Sequence, residues 1–330
     1  MAAATREQYR QAIVGFPDQF AGGLEAGERA AAALARRPYE RVVLCGMGGS
    51  ALGAELLNAW LDLAPDLTIH RSYGLPNDVT SKTLLVAVSY SGTTEETLSA
   101  VEQAAKDGRP LVAITTGGRL AELGKQHGFP VVPLPTGMPP RLSVGAQFGA
   151  LYSVLVAAGV VDADAEAVIE AAAEVAQVRD VAGRGKRVAD AIGARIPLIY
   201  AGDHNAAVAR SWKIKCNETG KVQAFWNVLP EADHNEINAL PDGGKRFCLV
   251  TLDDDQDHPR VRLRLELTAG LAQRNGLAVV RTALEGSSRL SRLLYGVWLG
   301  DWVALALADA RKADPAGTPI IEDLKARLSR

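Results

Sequence analysis

The chain has little cysteine: Cys45, Cys216 and Cys248 are the only thiols in 330 residues. They are odd in number, far apart and in no ligand spacing. That excludes a disulfide scaffold and a cysteine-held metal site, and it fits a reducing cytosol. Charge of one sign is missing too. Lys plus Arg number 36 and Asp plus Glu 38, for a net charge of −2. Without a basic excess, neither nucleic acid nor a membrane surface is the expected partner. No apolar run reaches the length that spans a bilayer. The N-terminus carries Arg6, Glu7 and Arg10 where a secretion signal would have an apolar core. The expected location is cytoplasmic. No low-complexity linker interrupts the sequence.

What is present is a globular composition, 48% hydrophobic, in a chain long enough for two domains. Short apolar runs of strand type lie at 41–45, 67–70, 84–88 and 111–114. A fifth, at 131–134, belongs at a sheet edge because of Pro133. Helical spacing separates them, as at 51–60, where Leu52, Leu56, Leu57 and Trp60 share a face. A surface helix is expected over 30–37, ended by Pro38. The spacing also predicts a helix over 142–158 and a charged, Ala-rich helical connector over 162–192. A second cycle follows, with strands at 196–202, 246–252 and 277–281 and helices at 206–215, 261–275 and 287–310. Residues 41–53 and 195–207 align as a weak internal repeat of strand, glycine and helix. The expectation is an α/β protein in two domains, 1–159 and 160–330, each a mainly parallel sheet flanked by helices.

Two loops carry the chemistry of the first half. Gly46-Met47-Gly48-Gly49-Ser50 follows the first strand, and Ser89-Tyr90-Ser91-Gly92-Thr93-Thr94 follows the third. Open parallel sheets bind ligands at the carboxyl ends of their strands. Thr93 or Thr94 is placed to cap the next helix, with Glu95 and Glu96 in its first turn. Four hydroxyls, a glycine and a helix N-terminus together make a phosphate cradle. Gly46, Gly48 and Ala51 also match a dinucleotide fingerprint, but the second strand ends in His70-Arg71 and lacks the acid that fingerprint needs. In Pro139-Pro140-Arg141 a stiff backbone presents a guanidinium, either as an ordinary exposed loop arginine or as a charge partner for a substrate oxygen. The second half offers Glu218 after a helix. It also offers His234 in a loop with Glu231, Asp233 and Glu236, where no second His or Cys stands at metal-ligand spacing.

These segments, with Asn217-Glu218, Ala224-Phe225-Trp226-Asn227 and Pro230-Glu231-Ala232-Asp233-His234-Asn235-Glu236, occur in the order of the bifunctional phosphoglucose/phosphomannose isomerases, and nearly the whole chain resembles that family. The resemblance implies two SIS-type three-layer α/β domains and interconversion of glucose and mannose 6-phosphates with fructose 6-phosphate. It implies that Gly49, Ser50, Ser89, Ser91 and Thr94 bind substrate, the hydroxyls holding the 6-phosphate, and that Arg141 stabilises the enediolate. Glu218 is implied to move the proton between C2 and C1. His234, reaching the site from the neighbouring subunit of a homodimer, and Lys325 near the C-terminus are implied to open the sugar ring. No cofactor and no metal are implied. Aldose–ketose isomerisation is consistent with such a set: one base beside a carbonyl, a fixed positive partner for the enediolate, and a group that titrates near neutrality.

The chain departs from the family at Thr219-Gly220, where many relatives have Asn-Ala, and at Leu142-Ser143-Val144-Gly145, which is usually more Ala-rich. A phosphosugar-sensing SIS module without catalysis is the alternative. It has no need of Arg141, Glu218 and His234 together. An amidotransferase partner domain is disfavoured because Met1 is followed by Ala2-Ala3-Ala4 and no N-terminal cysteine is present.

Overall fold

Val42-Val43-Leu44-Cys45 and Leu84-Leu85-Val86-Ala87-Val88 are continuous apolar runs because both faces of the strands they form are covered. The computed structural model describes residues 5–34, 36–61, 63, 66–240 and 244–328. Contacts group the chain into two units. One comprises residues 15–178 and 286–294, the other residues 1–14, 179–285 and 295–330.

The first unit holds five parallel strands: β1 (Arg41–Cys45), β2 (Leu67–His70), β3 (Thr83–Val88), β4 (Leu111–Thr115) and β5 (Val131–Pro133), in the order β2-β1-β3-β4-β5. Pro133 does lie on the edge strand, paired with Thr115 of β4. Val43, Cys45, Leu85, Ala87, Leu111 and Ala113 point to one face and pack with Ala100, Val101 and Ala104 of helix Glu95–Lys106 and with Leu120 and Leu123 of helix Gly118–His127. Helices Gln19–Ala31 and Val144–Ala158 pair closely in the same unit. A side chain on Gly23 would stand 3.0 Å from the Cα of Ala146, and one on Gly149 would stand 2.7 Å from the amide of Leu24. The same pairing accounts for Gly145, whose α-carbon faces Gln19 and Phe20. The helix expected over 30–37 ends at Ala31, because the Ala-rich run gives way to Arg36-Arg37-Pro38 with no further apolar face to bury.

The second unit holds β6 (Ile196–Gly202), β7 (Phe225–Leu229), β8 (Phe247–Asp253) and β9 (Ala278–Ala283), all parallel in the order β7-β6-β8-β9. No strand is expected from the sequence between Lys215 and Arg246. β7 escapes that expectation because it is an edge strand with a half-exposed middle, and Asn227 interrupts its apolar run. Tyr200, Leu229 and Leu249 pack against Leu265 and Ala272 of helix Pro259–Arg274. The internal repeat holds in the topology. β1 and β6 each lie between the next two strands of their own sheet, and each runs through a 3₁₀ turn into a helix. The expected connector over 162–192 is two helices, Ala165–Ala176 and Val181–Ile192, broken around Asp180, which has φ of 59°.

Helix Arg289–Ala310 is long and apolar enough to cross a membrane, but 83% of its most apolar window is buried in the protein. That is the signature of a core helix.

Candidate active site

The strand order of the first sheet reverses between β1 and β3, since β2 lies outside β1 while β4 follows β3. At such a reversal the loops leaving two neighbouring strands diverge to opposite faces and open a crevice at their carboxyl ends. The Gly46–Ser50 turn follows β1 and the Ser89–Thr94 loop follows β3, so both sequence-predicted loops lie at this crevice. They are joined: the Tyr90 amide donates to Ser50 Oγ at 3.4 Å.

The hydroxyl and glycine positions are not equivalent. Ser89 is fully buried, and its Oγ accepts from the Gly92 amide (3.1 Å) and the Thr94 amide (3.4 Å) and shares a bond with Thr94 Oγ1 (2.8 Å). Ser91 is exposed at the loop tip, where Thr93 donates to its Oγ. Thr94 is the N-cap residue by position, as expected, yet its side chain makes no cap bond because it is engaged with Ser89. The first-turn amides of helix Glu95–Lys106 therefore lack a side-chain cap, the arrangement that receives an anion. Gly92 has φ of 67°, and the chain beside it is closed by the next loop: the Leu120 amide donates to the Gly92 carbonyl at 2.9 Å.

Arg141 is 2% exposed, so it is not an ordinary exposed loop arginine. It occupies a 3₁₀ turn, Pro140–Leu142, that the sequence fastens twice. Ser143 Oγ and Gln147 Nε2 both donate to the Pro140 carbonyl, at 2.9 and 3.0 Å. Ser143 thus has a local task. The turn abuts the first loop, because a Cβ on Gly49 would stand 2.8 Å from the Arg141 amide. Sequence reasoning missed Tyr90. Its hydroxyl donates to the Pro135 carbonyl (2.8 Å) and accepts from the Met138 amide (3.3 Å), tying the hydroxyl loop to the segment that leads to Arg141. Burial pushes this phenol above its ordinary value, so it stays a neutral donor. Gly49, Ser50, Ser89, Ser91, Thr94 and Arg141 are therefore brought together within one unit. Arg71, at the place where a dinucleotide site needs an acid, is paired with Glu55.

Glu218, His234 and Lys325 belong to the other unit. The helix expected to end near Lys215 runs one turn further, as Ala206–Glu218, and Glu218 is its last residue, a helix-end carboxylate. Lys221, beyond the helix, donates to the carbonyls of both Glu218 and Gly317, and so ties the helix end to the segment that enters the last helix, Pro319–Leu328, which bears Lys325. His234 is exposed at the end of a 3₁₀ turn, Glu231–His234. The acids around it hold the loop. Asp233 accepts from Arg264 Nη1 (3.0 Å) and Thr268 Oγ1 (2.8 Å), while Glu236 accepts from Tyr200 Oη and Asn227 Nδ2. With its neighbours spent on the sheet and on helix Pro259–Arg274, the imidazole is left on the surface.

At the equivalent reversal of the second sheet, between β6 and β8, the buried Asp254 and Asp257 surround Asn205, whose Nδ2 donates to both carboxylates at 3.3 and 3.2 Å. A lining of carboxylates disfavours an anion at that place. Among the described residues, no group of three His, Cys, Asp or Glu side chains is placed to hold a metal ion.

Residues 182–328 match the family model described as the bacterial phospho-glucose isomerase C-terminal SIS domain. The bifunctional phosphoglucose/phosphomannose isomerase of Caldicellulosiruptor bescii is 33% identical over 97% of this chain and 98% of its own length. The enzyme of that name from Aquifex aeolicus is 34% identical over 89% of this chain and 92% of its own length. Among solved structures, a hypothetical protein from Thermus thermophilus superposes with a TM-score of 0.78 at 18% identity, covering 98% of this chain and 93% of that one, a likeness of fold. An identity of 33% over 97% of the chain, with 34% over 89% in the second relative, shows that the chain belongs to the bifunctional phosphoglucose/phosphomannose isomerase family.

Proposed function

We propose that this chain interconverts fructose 6-phosphate with glucose 6-phosphate and mannose 6-phosphate through a shared enediol. The observation that carries the reading is the crevice between β1 and β3. There a glycine turn, a hydroxyl-lined loop, an uncapped helix N-terminus and a buried arginine turn adjoin one another. Such a place grips the phosphate end of a sugar and leaves the carbons at the other end to acid–base groups.

In this reading Ser50, Ser91 and Thr94, with the backbone at Gly49, hold the 6-phosphate, and Ser89 shapes their loop. Arg141 faces the oxygens of C1 and C2 and stabilises negative charge as the enediolate forms. Glu218 removes the proton from C2 of the open-chain aldose and returns it to C1, while the carbonyl oxygen and the hydroxyl exchange a proton. One base acting on either face of the enediol serves both aldoses, which differ only at C2. His234 and Lys325 assist ring opening. His234 comes from the neighbouring subunit of a homodimer, a role supported by its exposure on a loop fastened from behind by Asp233 and Glu236. No cofactor is needed for this proton transfer. The enzyme is cytoplasmic in this reading, which its three free, buried cysteines support.

The test is to incubate the purified protein with fructose 6-phosphate, without added metal, and to assay glucose 6-phosphate and mannose 6-phosphate separately. Both products are expected. Absence of both, with sugar phosphate still bound, would instead identify a phosphosugar-binding regulatory protein. Glucose 6-phosphate alone would reduce the activity to a single isomerisation.

A further inference from the structure

Three residues before Glu218, the same helix carries a lysine with no exposure at all. Lys215 Nζ donates to Asp301 Oδ2 at 2.7 Å and to the Val297 carbonyl at 2.8 Å, both on helix Arg289–Ala310. Asp301 is itself 3% exposed. Burial draws the lysine's proton affinity down, and the charge of Asp301 opposes that.

The pair closes a register. Along helix Ala206–Glu218, Val208 lies against Gly296 and Trp212 against Gly300, so close that a Cβ on either glycine would stand 2.7 Å from the facing side chain. Trp212 Nε1 also donates to the Gly296 carbonyl at 2.7 Å. One turn on come Lys215 and Asp301, and then Gly220, where a Cβ would stand 3.3 Å from Leu307 Cβ and 3.4 Å from the Ala304 carbonyl. Contacts advance together on the two helices, which therefore run parallel. Small-residue packing fixes how near the helices lie but resists sliding weakly. A lysine bonded to two acceptors one turn apart is directional and resists it strongly. Fixing register is the best-attested use of a buried ion pair, whose desolvation otherwise makes it a poor source of stability.

We infer that Lys215 and Asp301 are positioning residues: they set the axial position of the helix whose last residue is Glu218, and so aim its carboxylate at the sugar carbons. The inference rests on the reading of Glu218 as the base. Glu218 lies about 4.5 Å further along the axis than Lys215. A shift of about 1 Å there costs roughly 10²-fold in proton transfer.

The test uses the full chain and fructose 6-phosphate. The double variant Lys215→Met/Asp301→Leu removes both charges and keeps side-chain volume, which leaves a fold stable. Its expected behaviour is a Tm at or above that of the wild type, a KM within about threefold, and a kcat lower by about tenfold or more. A kcat within about twofold of wild type in the folded double variant overturns the inference, since a merely structural pair is replaced without loss. If the double variant fails to fold, Asp301→Glu, which keeps the charge and lengthens the acceptor arm by one methylene, carries the same expectation. A wild-type kcat in it overturns the inference equally. Glu218→Gln is measured alongside. Near-normal turnover in that variant overturns the base assignment and the inference with it. Lost turnover there, together with full turnover in the double variant, overturns the positioning role alone.

Discussion

The α-carbon of Gly49 faces the backbone of Arg141 so closely that a Cβ would stand 2.8 Å from the arginine amide and 2.9 Å from its Cα. Real Cβ atoms do not approach backbone that closely, so any other residue at 49 pushes the arginine turn away. The prediction is that Gly49→Ala folds, still binds sugar phosphate through the hydroxyl loop, and loses about 10²-fold in kcat/KM because Arg141 is displaced by roughly 1 Å. Steady-state kinetics on fructose 6-phosphate check it. Wild-type kcat/KM in this variant would show that Arg141 does not depend on the contact.

Thr219, the residue after Glu218, has a local task with a measurable consequence. Thr219 Oγ1 and Tyr9 Oη are 2.5 Å apart, both residues being 1% exposed. This bond ties the first helix, Arg6–Val14, to the residue that follows Glu218. Tyr9→Phe removes one partner and is expected to cost about 1–3 kcal/mol. Thermal unfolding reads this as a Tm lower by ~2–4 °C for each kcal/mol. An unchanged Tm would mean that the Thr219 hydroxyl is satisfied elsewhere.

A pH effect is expected at Glu174. Burial pushes its carboxyl up, but the Ser287 hydroxyl and amide, at 2.7 and 2.6 Å, the Ser291 hydroxyl and the charge of Arg292 together hold it below its ordinary value of 4.5. A depressed carboxyl stabilises the fold above its unfolded value, and that contribution is lost as pH falls through the lower folded value. The Tm difference between wild type and Glu174→Gln should therefore be constant down to about pH 5 and shrink below it. A difference that stays constant into strong acid would contradict the assignment.

Much of this arrangement was legible in the sequence, and the reasons differ by element. Buried central strands such as Arg41–Cys45 and Thr83–Val88 are read directly, since covering both faces demands an uninterrupted apolar run. Pro133 placed its strand at an edge because it cannot donate to a ladder. Edge strand Phe225–Leu229 was missed because its burial is graded and Asn227 sits at its centre, where it donates to Glu236. The hydroxyl loop was legible as a strand-to-helix turn, but not which hydroxyls build it and which face out, since that depends on side-chain partners five residues apart. Arg141 could be read either way, and only its burial separates the two. The tasks of Tyr90 and Lys215 were invisible, because each acts on a partner far along the chain, 45 residues away in one case and 86 in the other.

The last prediction separates the two serines that the sequence treats alike. Ser89 Oγ, fully buried, is taken up by the loop's own donors at Gly92 and Thr94. Ser91 Oγ is at the exposed tip and accepts local bonds from Thr93. Ser89→Ala strands those donors in a buried place, which costs about 1–3 kcal/mol of stability. It lowers Tm and raises KM together. Ser91→Ala removes a surface hydroxyl and leaves stability within about 0.5 kcal/mol. If Ser91 holds the phosphate, its loss removes a hydrogen bond to a charged group, about 1.5–3 kcal/mol, and KM rises by roughly tenfold or more with Tm and kcat unchanged. Thermal unfolding and fructose 6-phosphate kinetics on the two variants distinguish a loop-building serine from a ligand-holding one. Equal KM values for Ser91→Ala and wild type would remove Ser91 from the phosphate site and leave the cradle to Ser50, Thr94 and the backbone.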